Sequence, residues 1–366
     1  MNRRQRILAV LRGETPDFVP WFGDLDYWYT ALSSAGKLPQ KYQNEGIFEL
    51  HRDLGVGFYL QGYFPFKTTY EGFTTSVELH GDHRVTKIKT PLGEITSIEK
   101  YLPDSFCWAY EEHFLKSWKD LASIRYMYQN THYQADYQKA SERYGLIGDE
   151  GLVLCYLPRS PFMELVAVMA GIASVTNAFV DAPDEFEETI SIMESKTDEA
   201  AEIALRSPAE CLMIPENLSS EVVGKKFFNC FLRPYEGKWN QKIHELGKYS
   251  FIHIDGTLRG LIREASFTGF NVLEAVTPAP VGDLPLEEIH HWVRPGTIIW
   301  GGLPGIYFTD LIDDQEFDQF TMRTLQFMRT HPGHVLGVAD QVPPGSRWER
   351  ILRVDHLVRQ FGKIEY

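Results

Sequence analysis

Cysteine is scarce. There are four in 366 residues, Cys107, Cys155, Cys211 and Cys230, and no two form a C-x-x-C pair. That spacing excludes a disulfide framework and a Cys-rich zinc site. Positive charge is in deficit too, with 36 Lys and Arg against 50 Asp and Glu and a net charge of −14. Nucleic-acid binding rests on basic surface, so that class is set aside. A polyanionic substrate would need a local cluster of Arg and Lys to overcome the overall field. Long apolar runs are missing as well. The start, MNRRQRILAVLRGETPD, carries only Ile7 to Leu11 before Arg12 interrupts it. Neither a signal peptide nor a membrane span is read there, and a cytoplasmic protein is expected. No P-loop, nucleophile elbow, zincin motif or dinucleotide fingerprint occurs.

What is present is a recurring unit. Hydrophobic residues make up 43% of the chain, enough for a large core. Short apolar runs, each ending in polar or Gly-rich residues, fall at 18–26, 56–63, 151–158, 210–217, 250–256, 270–278, 296–304 and 333–341. Helical patterns separate several of them, at 184–206, 223–247, 257–267, 285–293 and 310–330. Near-continuous apolar strands alternating with helices read as a parallel sheet. Eight of them predict an α/β fold of the (β/α)8 TIM-barrel type, a single domain over 1–366, with a doubly wound sheet as the alternative. Residues 68–118 break the alternation. Gly81-Asp82 and Pro91-Leu92-Gly93 are turn signals between alternating runs, so a small β-hairpin insertion is expected there. The Tyr-rich tract 121–145 reads as helical.

In such a barrel, functional residues gather where strands run into the following helix. Asp24, Asp26 and Tyr27 follow the first run, and Gln61 and Tyr63 the second. Glu216 and Asn217 follow the fourth, His253 and Asp255 end the fifth, Glu274 sits in the sixth, and Asp340 and Gln341 follow the eighth. His253, Asp255, Glu274 and Asp340 are candidate ligands for one divalent ion, zinc, manganese or iron rather than calcium. The plain alternative is a hydrogen-bonded His–Asp pair that holds the barrel mouth together. Glu216 and Asn217 are candidates for holding a ligand, with a turn or helix cap as the alternative for Asn217. Gly301-Gly302 permits close backbone approach to a ligand or simply makes a tight turn. Arg259 and Arg263, one helical turn apart, form either an anion clamp or a solvated helix face.

Several stretches together resemble the uroporphyrinogen decarboxylase superfamily over nearly the full length. They are RILAVLRGETPDFVPWF, PYEGKWNQKIHELGKYSFIHIDG, GFNVLEAVTPAPVGDL, IIWGGLP and GVADQVPPGSRWERI. The resemblance implies a (β/α)8 barrel, and homodimers are frequent in the family. True uroporphyrinogen decarboxylases carry an Arg-rich stretch after the first strand, whereas this chain has GDLDYWYTA. Like charges brought together cost several kcal/mol in order of magnitude, so an octacarboxylate tetrapyrrole is not the expected substrate.

The second branch of that family moves methyl groups between a corrinoid protein and a thiol, a tetrahydropterin or a methylated substrate. TPLGEITS in the insertion resembles this branch. Its thiol-using members hold zinc with a His, a Cys on the fifth strand and a second Cys near the C-terminus. His253 matches the histidine, while Asp255 and Asp340 stand at the two cysteines, and Glu274 lies where a carboxylate can join the metal. Carboxylates favour harder ions than thiolates do, or no ion. The resemblance therefore implies a methyltransferase working with a corrinoid protein on a small methylated compound or a tetrahydropterin. His253, Asp255 and Glu216 would be catalytic. Asn217, Tyr27, Tyr63 and Asp24 would line the substrate. A lyase acting on a smaller carboxylated substrate, clamped by Arg259 and Arg263, is the alternative, and a ligand-binding protein without chemistry is a third reading.

Overall fold

The computed structural model describes residues 1–59 and 63–364; Gln61 lies outside them. Six parallel strands form a continuous ladder in sequential order: Leu154–Tyr156, Cys211–Leu218, Tyr249–Ile254, Val272–Val276, Ile298–Pro304 and His334–Ala339. The ladder itself stays open. Isolated bridges and one two-residue pairing link its ends without a continuous sheet. Trp21 bridges in parallel to Leu336, Phe22 bridges in parallel to Gly57, and Phe58–Tyr59 pairs in parallel with Gly151–Leu152, which runs on into the ladder. Seven of the eight apolar runs hold strands at the places a (β/α)8 barrel needs them, and the first contributes only the isolated bridges of Trp21 and Phe22.

Two apolar clusters follow from strand alternation. Phe22, Tyr59, Met213, Phe251, Val272 and Trp300 fill the interior, and the N-terminal helix Arg3–Leu11 adds Ile7, Val10 and Leu11. The larger cluster lies between the strands and the surrounding helices, with Ile214, Ile252, Leu273 and Ile299 on its inner side. Trp300 stands centrally, its ring 4.6 Å from that of Tyr59 and 5.3 Å from that of Phe22. Gly301 and Gly302 make neither a turn nor a ligand cradle. They lie within the seventh strand, and a Cβ on Gly301 would sit 2.4 Å from the Val276 carbonyl oxygen, so the close approach is to the neighbouring strand.

The insertion exceeds a hairpin. Thr74–His80, His83–Thr90, Gly93–Leu102 and Cys107–Glu112 form a four-stranded antiparallel meander. The tract 121–145 is not one helix. Its middle, Thr131–Ala135, is a strand that pairs antiparallel with Phe66–Tyr70. The helix expected over 257–267 shortens to Ile262–Ser266. The segment Pro161–Asp181 is long and apolar enough, by length and composition alone, to cross a membrane, a property the sequence reading did not register. Here a π-helical turn, Leu165–Ala170, interrupts it, and Phe162, Met163, Leu165 and Val175 are buried in the core.

Candidate active site

His253 and Glu274 are direct neighbours across the fifth and sixth strands, in register with each other. Alternation turns both inward: Phe251 and Val272, two residues back on each strand, belong to the interior cluster. His253 Nδ1 lies 2.6 Å from Glu274 Oε2, and the Tyr59 hydroxyl donates to Glu274 Oε1 at 2.8 Å. Glu274 is fully buried and His253 is only 6% exposed. The other ring nitrogen, Nε2, faces the mouth, 3.5 Å from Asp340 Oδ1. A carboxylate held behind a histidine in this way fixes its tautomer and orientation.

Burial alone lowers the basicity of His253, but the charge and hydrogen bond of Glu274, with Asp340 and Asp255 behind them, outweigh it and raise its pKa to about 9. The ring is therefore an imidazolium at neutral pH. Asp340 is pushed up to about 6 by desolvation and by Glu274 and Asp255, with His253 pulling the other way. Its side chain is still half exposed. Asp24 is buried and its pKa lies well above the usual carboxylate range, through desolvation and the charge of Asp26, although the Asp26 amide donates to its Oδ1 at 2.9 Å. The mouth thus holds a cationic ring beside two aspartates, Asp24 and Asp340, whose carboxyl groups lie above the usual carboxylate range.

Backbone strain collects here. Asn217, Ala275 and Asp340 are three of the four non-glycine residues with positive φ among the described residues, at 50°, 66° and 68°. Asn and Asp tolerate that region, whereas Ala275, directly after Glu274, bears a cost of about 1–2 kcal/mol. Asp255 is exposed, and its Oδ1 accepts the Gly256 amide at 2.8 Å, so it closes the strand end rather than joining the imidazole.

Other expected residues separate. Pro215 and Asn217 line a mouth cavity of about 290 Å³ together with Tyr27, Tyr156, Arg159, His253 and Asp340. Glu216, between them, is turned to the opposite side of its strand. It is buried beneath the start of helix Pro161–Glu164, which follows the third strand, accepting from the Ser160 amide at 2.9 Å and the Ser160 hydroxyl at 3.0 Å. Desolvation raises it to about 7 even so. It acts as an anchor for helix Pro161–Glu164, away from His253. Tyr63 donates to the Asp136 carbonyl at 2.9 Å and packs under the Arg143 guanidinium, 4.3 Å from its ring centroid. Arg259 and Arg263 are exposed and lie over Trp292 and Phe267 rather than in the mouth.

A metal does not fit these side chains as they stand. Glu274 holds the ring nitrogen that points away from the mouth, which leaves Nε2 with Asp340 alone, and among the described residues no three His, Cys, Asp or Glu side chains converge on one point. Three residues of the site escaped the sequence reading. Tyr59 lies mid-run and looked like core, Tyr156 lies inside the third run, and Arg159 stands one position past that run's end.

The profile of the uroporphyrinogen decarboxylase family matches residues 154–361, more than half of the chain. The chain belongs to the uroporphyrinogen decarboxylase family. All of His253, Glu274 and Asp340 lie within the matched part. No curated protein matches it in sequence. Among solved structures, a methyltransferase from Methanosarcina mazei superposes with a TM-score of 0.62, covering 99% of this chain and 99% of that one at 12% identity. At that identity the likeness speaks for the shared fold. In this member of the family, the stretch after the first run carries Asp24 and Asp26 and no arginine, and among the described residues Arg159 is the one cation besides His253 that lines the mouth cavity.

Proposed function

We propose that this family member is a methyltransferase that moves a methyl group between the oxygen or nitrogen of a small substrate and a corrinoid carried by a separate protein. Tetrahydropterin is the second candidate as methyl carrier. The observation that carries the reading is the buried His253 imidazolium, charged by Glu274 and open at Nε2 to a cavity whose described lining has a single arginine, Arg159, where a polycarboxylate needs several. The corrinoid would supply the nucleophile that takes the methyl carbon. The rest falls to this chain. As the methyl–oxygen bond breaks, the electron pair stays on oxygen, and His253 Nε2–H gives that oxygen its proton. His253 is then neutral, with its Nδ1–H still bound to Glu274. Asp340, half in solvent and near Nε2, returns a proton to the ring. Tyr59 fixes Glu274 from the far side, and Tyr27 and Asn217 wall the substrate. Protonation of a leaving oxygen is worth about 10²- to 10⁴-fold in rate.

The test is a screen of methoxylated and N-methylated compounds with free cob(I)alamin as acceptor, followed by loss of its absorbance. Methyl transfer from at least one compound, without release of carbon dioxide, is expected. Carbon dioxide released from a carboxylated substrate in the absence of corrinoid would move the assignment to a lyase.

A further inference from the structure

Beside the mouth lies a second, larger cavity of about 970 Å³, roofed by the insertion and floored by the helices Leu121–Gln129 and Pro161–Glu164 and the π-helical turn that follows. Its walls are mostly apolar and aromatic, with Phe66, Phe73, Phe114, Met127, Val168 and Tyr133 prominent. Two residues, Phe64 and Arg159, line both this chamber and the mouth. Phe64 joins the two physically. Its ring lies edge-on to Tyr156 of the mouth, with centroids 5.4 Å apart, and 5.3 Å from Phe66, which meets Tyr133 edge-on at 5.2 Å. Arg159 is held by one bond, Nε donating to the Pro215 carbonyl at 2.7 Å, and by Glu164 at 3.6 Å from Nη1.

We infer that the chamber binds the aromatic body of the substrate, with an acidic or hydroxyl substituent on Arg159 and the methyl-bearing atom passed beyond Phe64 to His253. The inference rests on the methyl-transfer reading for the role of His253, and adds the substrate class. Four observations lead there. The mouth, at about 290 Å³, holds little more than a small head group, whereas the chamber falls at the large end of ligand pockets. Ring faces and edges dominate its lining, which favours a flat aromatic guest in offset or edge-on contact. A single guanidinium at the neck provides one directional anchor for one oxygen group. A π-helical turn in the wall is a frequent companion of binding sites.

Binding can be read without turnover, using the full-length protein and 1-anilinonaphthalene-8-sulfonate, an aromatic anion whose fluorescence rises in apolar surroundings. Saturable binding is expected, with 4-methoxybenzoate displacing the dye and methoxyacetate, which has the same polar groups without the ring, failing to. Met127→Trp, which fills the chamber, should weaken dye binding at least tenfold. Val168→Phe is the second filling variant, should the first fail to fold. Arg159→Gln should remove the preference for the anionic dye over neutral N-phenyl-1-naphthylamine. His253→Gln should bind the dye within twofold of the unmodified protein. Undiminished binding in both filling variants, or equal displacement by methoxyacetate, would overturn the chamber as an aromatic site. Binding that persists while the cob(I)alamin screen stays negative would fault the methyl-transfer reading and leave the chamber standing.

Discussion

His253→Gln lowers methyl transfer by about 10²- to 10⁴-fold, the range that general acid catalysis supplies, and leaves the fold intact. Glutamine keeps a hydrogen-bonding amide near Glu274 but has no proton to give up. The pH profile of the unmodified enzyme carries the same signature. His253 is raised to about 9, so the donating form is fully present below that value and activity falls as pH rises through it. Asp255→Ala, by contrast, changes a solvent-exposed side chain bonded to its own strand end, and a loss of less than about tenfold is expected, since exposed sites off the chemistry seldom matter more. Parallel kcat/KM measurements on the two variants check both statements. Equal losses would mean that the ring and Asp255 act as one unit, as joint metal ligands would.

Trp300→Ala is the largest expected blow to the fold. The indole is fully buried in the barrel interior, against Phe22, Tyr59 and Phe251. Removing a buried Trp costs about 3–5 kcal/mol through lost burial and the cavity left behind. Because Tyr59 rests on this ring and in turn holds Glu274, the loosened barrel should also blunt His253. Denaturant unfolding of the variant, with the slope unchanged and the midpoint lowered, is the expected result. A cost below about 1 kcal/mol would mean that the barrel wall collapses around the void.

Much of this was legible in the chain, and the misses have a common cause. Seven of the eight apolar runs hold strands, because a strand buried on both faces is apolar at nearly every position, a pattern that survives without an alignment, while the first run makes only isolated bridges. His253, Glu274 and Asp340 could be singled out because a charge directly behind such a run has to be accommodated. Glu216 shows the limit. It stands behind a run as well, but the period of two that turns Pro215 and Asn217 to the mouth turns Glu216 to the helices. A strand-end argument without parity picks the wrong neighbour. Tyr59 was hidden for the opposite reason, since a tyrosine inside an apolar run looks like packing until its hydroxyl is seen to reach a carboxylate 215 positions away. The strand Thr131–Ala135 was missed because the aromatic spacing of Leu121–Gln129 continues into it, and only the antiparallel partner Phe66–Tyr70 decides its state.

The difference between a proton-donating histidine and a metal-binding one can be read at a single nucleus. The measurement is a pH titration of the His253 ring by ¹H–¹⁵N NMR, in the unmodified protein and in Glu274→Gln. The expected pKa is about 9 in the former, falling toward or below the ordinary histidine value of about 6.5 once the carboxylate charge is gone. The same shift makes His253 stabilise the fold fully below about 6.5 and lose that contribution as pH rises toward 9. A ring that stays neutral down to pH 6, or that shifts on adding one equivalent of zinc with loss of its titration, would contradict the account.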